Sequence, residues 1–209
     1  MDKPALDGYS NLPKVALYVN PSENPAPFVR AIEHAEGQAV LVMELSEGLP
    51  DDAGGLMLAG EEPLEVASNV PAVVNEAIDR QLPVLGIGWG MHALNIALGG
   101  GLPEPSEGHG QPGEPSKHPV FIAPGGKISY TIAGSGWVTA PSAHTHALRP
   151  GQVADGLLSS VYADDQVIEA IEKPGREWLI GVQWPAHDFE STPKGFDSLL
   201  LALVERSDQ

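Results

Sequence analysis

Three alternating glycines, placed between an apolar run and an amphipathic segment, are the residues most suggestive of chemistry. Gly86, Gly88 and Gly90 have the spacing of a nucleophile elbow, a strained turn that presents a nucleophile at the end of a central strand. The flanking glycines allow close backbone approach, and the following helix offers N–H groups to a developing oxyanion. A glycine-rich turn that binds nothing, or a phosphate cradle, is the alternative. A dinucleotide fingerprint is excluded, because Met91 stands where its third glycine would be.

Histidines supply the second set of candidate functional residues. His144 and His146 are separated by one residue and would project from the same face of a strand. Imidazoles that converge in this way could bind Zn²⁺ or another borderline metal. The alternative is that they are separate, hydrogen-bonded residues. His34, His109 and His118 lie in an amphipathic helix and a hydrophilic segment, which predicts that they are solvated rather than functional.

Apolar runs predict strands that alternate with helices through the first half of the chain. Around the elbow, a buried strand over residues 83–87 is followed by a helix over 90–98, where apolar residues recur at helical spacing. Because the strand has no polar face, it must be covered on both sides, as in a parallel sheet. The other elements predicted here are strands over 15–19, 39–45 and 55–59, and helices over 27–36 and from residue 70.

The second half of the chain is predicted to be more antiparallel. Its strand candidates are short and separated by turns. They cover residues 120–123, 127–132, 136–140, 167–172 and 178–184, and a helix over 196–204 follows. Residues 99–119 are rich in glycine and proline and predict a long surface loop rather than a linker. We therefore expect one domain over 1–209, with a tail over 1–13.

Composition limits the functions that are open to this chain. With 28 acidic and 11 basic residues, the formal net charge of −17 repels phosphate backbones and anionic lipid, so neither nucleic acid nor a membrane is an expected partner. The absence of cysteine excludes disulfides, thiolate metal sites and a cysteine nucleophile. With no secretory segment visible either, we expect a cytoplasmic protein.

The elbow lies within the segment LPVLGIGWGMHALNIALGGGL, residues 82–102, which resembles the elbow of class I glutamine amidotransferase-like proteins. The similarity is greatest to the γ-glutamyl-γ-aminobutyrate hydrolase branch, of peptidase C26 type. Three further segments agree with that family in order and spacing: APSAH at 140–144, VIEAIE at 167–172 and GVQW at 181–184. The resemblance covers about residues 15–204. It implies an α/β fold, a flavodoxin-like three-layer sandwich with a central, mostly parallel sheet.

The positions at which the resemblance implies catalysis carry other residue types. The cysteine nucleophile of the family falls on Gly88, its arginine on Trp89 and its glutamine on His92. The catalytic histidine and glutamate fall on Pro185 and His187. A shift of two residues would offer a base and an acid from residues 187 and 190, but no nucleophile. The resemblance therefore implies a cleft that has lost amide hydrolysis.

The resemblance also implies which residues form this remodelled cleft. The glycine-rich oxyanion strand of the family corresponds to residues 58–61, where Gly60 is kept and Glu61 adds a carboxylate that would oppose a developing anion. Trp89 either fills the inherited pocket or projects from the turn as an aromatic platform. The predicted cleft residues are Gly60, Glu61, Gly88, Trp89, Gly90, His92, Gln183, Pro185 and His187.

These residues lead to a prediction of binding rather than catalysis. We expect a pseudoenzyme that binds a small molecule or a protein partner, such as a synthetase subunit, at the cleft; a homodimer is a possible assembly. The alternative is an enzyme of a different, histidine- or metal-assisted class, and γ-glutamyl amide hydrolysis is the least favoured. No cofactor is expected other than a candidate Zn²⁺ bound by His144, His146 and His187, with His92 as a fourth ligand.

Overall fold

A mixed β-sheet forms the centre of the computed structural model, which describes residues 12–61 and 63–208. Within those residues the sheet has nine strands, and two further short strands pair separately. The strands are β1 Lys14–Val19, β2 Gln38–Val42, β3 Gly55–Gly60, β4 Val84–Gly88, β5 Glu104–Pro105, β6 Ser116–Ile122, β7 Gly136–Ser142, β8 His146–Ala147, β9 Leu158–Ala163, β10 Ile168–Glu172 and β11 Leu179–Val182. The helices are α1 Ala26–His34, α2 Ala72–Asp79, α3 Trp89–Ala97, α4 Lys127–Thr131 and α5 Ser198–Arg206.

The strand order of the sheet is β2-β1-β3-β4-β11-β10-β9-β6-β7. The five strands from β2 to β11 are parallel to one another, and every later pairing is antiparallel. Strand β4 therefore lies between two parallel neighbours, and α3 begins at the next residue, as the sequence predicts. The mostly parallel sheet in the first half and the antiparallel strands in the second are both confirmed.

Two apolar layers cover the sheet and make the fold a three-layer α/β sandwich. Phe28 of α1 and Leu199 of α5 pack on one face, and Val73 of α2 and Leu94 of α3 pack on the other. Successive residues of β4 enter opposite layers, because side chains alternate along a strand. This arrangement explains why the strand sequence has no polar position.

The segment 127–132, predicted as a strand, instead forms helix α4 over Lys127–Thr131 and its C-cap. The Glu172 carboxylate, which comes from β10, accepts hydrogen bonds from the backbone N–H groups of Lys127 at 2.7 Å and Ile128 at 3.0 Å. These are donors that have no partner within a helix, so a distant carboxylate stabilises its first turn. The strand prediction is wrong because this stabilising contact is not local.

The glycine- and proline-rich segment, 99–119, is more ordered than the predicted surface loop. Strand β5 pairs with β8, and β6 already begins at Ser116. Ser106 and His109 are buried between these pairings. Strand β9 is not among the predicted strands, and its second and third residues are serines. The predicted tail lies outside the described residues except for Leu12 and Pro13.

None of the helices in the described part of the chain combines the length and apolar character that a membrane span requires.

Candidate functional site

The elbow at the end of β4 has the strained backbone that its glycines predict. Gly88 adopts φ +54° and ψ −111°, and α3 starts immediately after it. A Cβ atom on Gly86 would lie 2.5 Å from the carbonyl oxygen of Gly90, and one on Gly90 would lie 2.1 Å from that of Leu58. The outer glycines are therefore required because the helix packs directly on the strands.

The carbonyl group of Gly60 occupies the space into which a side chain at the elbow would project. Gly60 ends β3 and pairs with Gly88 across the sheet. A Cβ atom built on Gly88 would lie only 2.2 Å from the Gly60 oxygen. Since real Cβ contacts are never this short, the turn has no room for a nucleophilic side chain unless the backbone shifts.

The residue after β3 has its N–H group engaged by a carboxylate. The backbone N–H of Glu61 donates to Glu23 Oε1 at 2.6 Å. By the family resemblance this is the strand that would supply N–H groups to an oxyanion. A negative group already stands at that donor, so the strand opposes a second anion instead of receiving one.

The indole of Trp89 packs in the core and not in the cleft. Trp89 is 3% exposed and stacks on Tyr18, with ring centroids 5.8 Å apart and an interplanar angle of 24°. It lines a separate cavity of about 210 Å³ beside the ends of β1 and β3. Neither predicted role, a plug of the elbow pocket or a platform above it, agrees with this position.

His92 is buried beneath the elbow and hydrogen-bonded to Gln183. Its Nε2–H donates to Gln183 Oε1 at 2.9 Å. Burial disfavours the charged imidazolium and lowers the pKa of His92 to about 3, although the bond to Gln183 acts in the opposite direction. His92 is therefore a neutral hydrogen-bond donor at physiological pH.

His187 lies at the mouth of the elbow against an aromatic ring. Its imidazole packs on Phe28, with ring centroids 4.2 Å apart. Burial lowers the pKa of His187 to about 4, and the nearby Asp188 only partly offsets this. Within the described residues, its Nδ1 atom has no hydrogen-bond partner.

The cavity at the elbow is small. Its volume is about 20 Å³, enough for about one water molecule, whereas small-molecule sites measure about 300–1,000 Å³. Trp89, Gly90 and His92 do not line this cavity. The predicted cleft residues that do line it are Gly60, Glu61, Gly88, Gln183, Pro185 and His187.

His144 also lines this cavity, but its ring belongs to a different cluster from the one predicted. The structure unites His144 with His109, His118 and Glu169, not with His146 or residue 187. The side chain of His146 instead lies 3.0 Å from the hydroxyl of the preceding threonine. The expectation that residues 109 and 118 are solvated is wrong, because their side chains are only 5% and 11% exposed and both lie beside the Glu169 carboxylate.

The charges of this cluster are arranged around Glu169, which is 1% exposed. Burial alone would raise the pKa of its carboxyl group, but contacts with His109 and His144 outweigh burial and lower the pKa to about 2. Burial lowers the pKa of His118. For His109, burial acts in the same direction, but Glu169 and Asp165 outweigh it and raise the pKa. An ionised carboxylate therefore lies among the imidazoles, and the pKa values of His109 and His118 are shifted in opposite directions.

The fold and the elbow together are those of the class I glutamine amidotransferase-like proteins. The model of the peptidase C26 family matches residues 68–187. The Schizosaccharomyces pombe protein PB2B2.05, provisionally named a glutamine amidotransferase, is 30% identical over 202 residues, covering 82% of this chain and 78% of its own. The chain belongs to the peptidase C26 family.

Two solved structures show the same fold at low sequence identity. One is from Thermoplasma acidophilum and is provisionally described as part of a GMP synthase. It is 17% identical, with a TM-score of 0.70 over 93% of this chain and 94% of that chain. The other is the glutaminase domain of Trypanosoma brucei CTPS with bound acivicin. It is 13% identical, with a TM-score of 0.69 over 92% of this chain and 94% of that chain.

Proposed function

We propose that this chain is a non-hydrolysing member of its family that acts by binding a protein partner at the elbow. The observation that carries the proposal is the elbow residue itself, because Gly88 has no side chain that could attack an acyl carbon. No cysteine elsewhere in the chain could replace it. A Cβ atom on Gly88 would lie 2.2 Å from the Gly60 carbonyl oxygen. This short distance supports the proposal that the turn no longer accommodates a nucleophile.

The proton-transfer groups near the elbow support the same proposal. A general base works best when its pKa is near the operating pH. Burial holds the pKa of His92 at about 3 and that of His187 at about 4, so both imidazoles are weak bases. A histidine-assisted enzyme of another class is for this reason the less favoured function.

The dimensions of the cleft favour a protein partner over a small molecule. The elbow cavity of about 20 Å³ cannot enclose a metabolite, and the space of about 480 Å³ that His187 also lines, against α1, is open to solvent and therefore accessible to a protein surface. One solved neighbour is described as a synthase subunit, which supports a partner of synthetase type. A cytoplasmic location is part of this proposal.

Hydrolysis is tested by incubating the protein with glutamine and with γ-glutamyl-γ-aminobutyrate. Neither substrate should release glutamate above a buffer control, and an active relative assayed in parallel shows that the conditions permit turnover. Glutamate release that survives re-purification and scales with protein concentration would contradict the proposal.

Partner binding is tested by affinity purification from the source cells with matched charge reversals. Glu61→Arg changes an exposed residue that lines the elbow cavity, and Glu205→Arg changes an exposed residue on α5. A partner that binds at the elbow should be recovered with the wild type and with Glu205→Arg, but not with Glu61→Arg. Equal recovery with all three proteins would show that the elbow is not the contact site.

A further inference from the structure

We propose that His109, His118, His144 and Glu169 form a closed site for a divalent transition-metal ion of the Zn²⁺ type. The residues come from four separate segments: the turn before β6, β6 itself, the connection from β7 to β8, and β10. This inference is independent of the proposed function, because it concerns none of the groups that would hydrolyse an amide.

Three of the six distances between the donor atoms fit a tetrahedral ion. Three imidazole nitrogens converge on Glu169 Oε1: His109 Nδ1 at 3.4 Å, His118 Nε2 at 3.3 Å and His144 Nε2 at 3.4 Å. With metal–ligand bonds of about 2.0–2.1 Å, neighbouring donors of a tetrahedral site lie about 3.3–3.4 Å apart. All four donor atoms lie within 4.8 Å of one another, so a bound ion would draw the imidazoles slightly inward.

The second nitrogens of two imidazoles are held in the way that metal ligation requires. His144 Nδ1–H donates to the carbonyl oxygen of His146 at 3.1 Å, and His109 Nε2–H donates to Asp165 Oδ2 at 3.1 Å. In the neutral imidazole that binds a metal, each bond places the hydrogen on the outer nitrogen and leaves the lone pair of the inner nitrogen facing the cluster. Metal-bound histidines are oriented by such outer contacts to a carbonyl or a carboxylate.

A β-bulge directs Glu169 into the cluster. On β10, Ile168 pairs with Tyr162 of β9 and Ala170 pairs with Val161. An advance of two residues along β10 therefore matches an advance of one residue along β9. Glu169 is the extra residue, and its carbonyl oxygen instead accepts the N–H of Gln183 at 2.8 Å. Bulges of this kind redirect a side chain and often occur next to functional sites.

A tight turn brings His109 to the same place. The next residue, Gly110, has φ +72°, and a Cβ atom there would lie 2.8 Å from the Ser142 carbonyl oxygen. The carbonyl oxygen of His109 accepts the Ser142 hydroxyl at 2.6 Å and the backbone N–H of His144 at 3.3 Å. The segment that carries His109 is thus fixed against the segment that carries His144.

The inner polar atoms of this cluster lack aligned hydrogen bonds to protein groups. Among the described residues, neither oxygen of Glu169 has an aligned hydrogen bond, and the same is true of the inner nitrogens of His109, His118 and His144. Buried polar atoms without partners are costly, and a single cation would pair with all three imidazoles and the carboxylate. Four protein donors, three of them on buried residues and the fourth on His118 with its side chain 11% exposed, are typical of structural metal sites, whereas catalytic sites keep an open position. The expected role of the ion is therefore to hold the four ligand-bearing segments together.

Metal analysis with matched variants tests the proposal. The full chain is stripped with EDTA, dialysed and titrated with Zn²⁺, using elemental analysis for stoichiometry and a competing chromophoric chelator for affinity. We expect one Zn²⁺ per chain and a higher melting temperature with metal, since an ion that binds the native state stabilises it. Glu169→Gln and His118→Asn should each abolish this site, whereas His146→Ala and His34→Ala should retain it.

The controls separate this site from other histidine contacts. His146→Ala keeps the carbonyl oxygen that orients His144 and removes only an imidazole outside the cluster. Wild-type affinity in Glu169→Gln and His118→Asn would overturn the proposal, and so would loss of binding in His146→Ala or a failure of the wild type to bind Zn²⁺. If the ligand variants fail to fold, Co²⁺ binding to the wild type decides: intense visible bands indicate a four-coordinate site, and weak bands of a six-coordinate ion refute it.

Asp165 offers a further test as a positioning residue. Its side chain is 40% exposed and lies outside the proposed ligand set, so Asp165→Ala, which removes both acceptor oxygens, should fold. Loss of an outer-sphere partner of this type costs about 10–100-fold in metal affinity. We expect that loss with the stoichiometry still at one ion per chain. An unchanged affinity would show that the bond to His109 does not orient a ligand.

Discussion

Replacing Gly88 with cysteine should destabilise the protein without restoring hydrolysis. The substitution places a side chain on a residue with φ +54° and sets its Cβ atom 2.2 Å from the carbonyl oxygen of Gly60. A strained backbone conformation of this kind costs about 1–3 kcal/mol when the residue is not glycine. Forcing the neighbouring backbone to move adds about 1–3 kcal/mol, typical of an overpacked site.

The expected loss is therefore about 2–6 kcal/mol for Gly88→Cys, a large fraction of the total stability of a typical domain. Gly99→Ala is the matched control, because Gly99 has φ +92° but a Cβ atom there would meet nothing within 4 Å. That variant measures only the loss in free energy of unfolding that comes from a non-glycine residue at positive φ, about 1–3 kcal/mol. The difference between the two variants measures the contact with Gly60.

Urea unfolding followed by tryptophan fluorescence gives both free energies, and the glutamate assay is run on the same samples. If Gly88→Cys lost no more stability than Gly99→Ala, the Gly60 carbonyl would not be held where the structure places it. If Gly88→Cys hydrolysed glutamine, the missing thiol would be the only defect of the site. In that case hydrolysis would not require the catalytic histidine and glutamate that Pro185 and His187 replace.

Two further predictions concern buried aromatic rings. Trp89→Ala should lower the free energy of unfolding by about 3–5 kcal/mol, and Trp137→Ala, whose residue is 63% exposed, should lower it much less; equal losses would contradict the burial of residue 89. Because His92 has a pKa of about 3 when folded and near 6.5 when unfolded, the unfolded chain binds the extra proton between those values. Stability should therefore fall as the pH is lowered through that range, by up to about 1.4 kcal/mol per pH unit. Urea unfolding at several pH values measures this dependence of stability on pH. His92→Gln should reduce it, whereas the control His34→Gln should not. An unaltered dependence in His92→Gln would show that residue 92 is not buried and neutral.

The elbow could be predicted from sequence because its signals are local. The apolar run that ends at Ile87 shows no polar face, and the residues after it change at once to helical spacing. The structure places that strand, β4 at Val84–Gly88, between two parallel neighbours, and α3 follows it directly. Local pattern and global position agree here because a strand that is buried on both faces can only lie inside the sheet.

Helix α4 and the position of Trp89 show where local patterns are insufficient. The segment that forms α4 contains residues that favour strands, but Glu172, from a distant strand, stabilises its helical N-terminus. Residue type alone identifies Trp89 as a large apolar group beside a turn. Only the position of Tyr18 on β1 determines that the indole packs in the core and not in the cleft.

The histidine cluster could not be predicted, because the fold alone brings its members together. His109 and Glu169 are 60 residues apart in the chain, and they meet because β6 and β10 lie on either side of β9. The spacing of His144 and His146 suggested a shared face, which holds only within a continuous strand. In the structure β7 ends before residue 144 and β8 begins at residue 146, so the two rings serve different contacts.

His144 connects the two sites, because it lines the elbow cavity and also faces Glu169. Its ring is fixed on the outer side by the carbonyl oxygen of His146, so an ion bound on the inner side would hold one wall of the cavity rigid. An elbow that had to admit and release a substrate would need a wall that can move. An elbow that presents a constant surface to a partner benefits from a rigid wall, since less conformational entropy is lost on binding. The small cavity and the donor geometry beside it share His144, and both agree with a binding role.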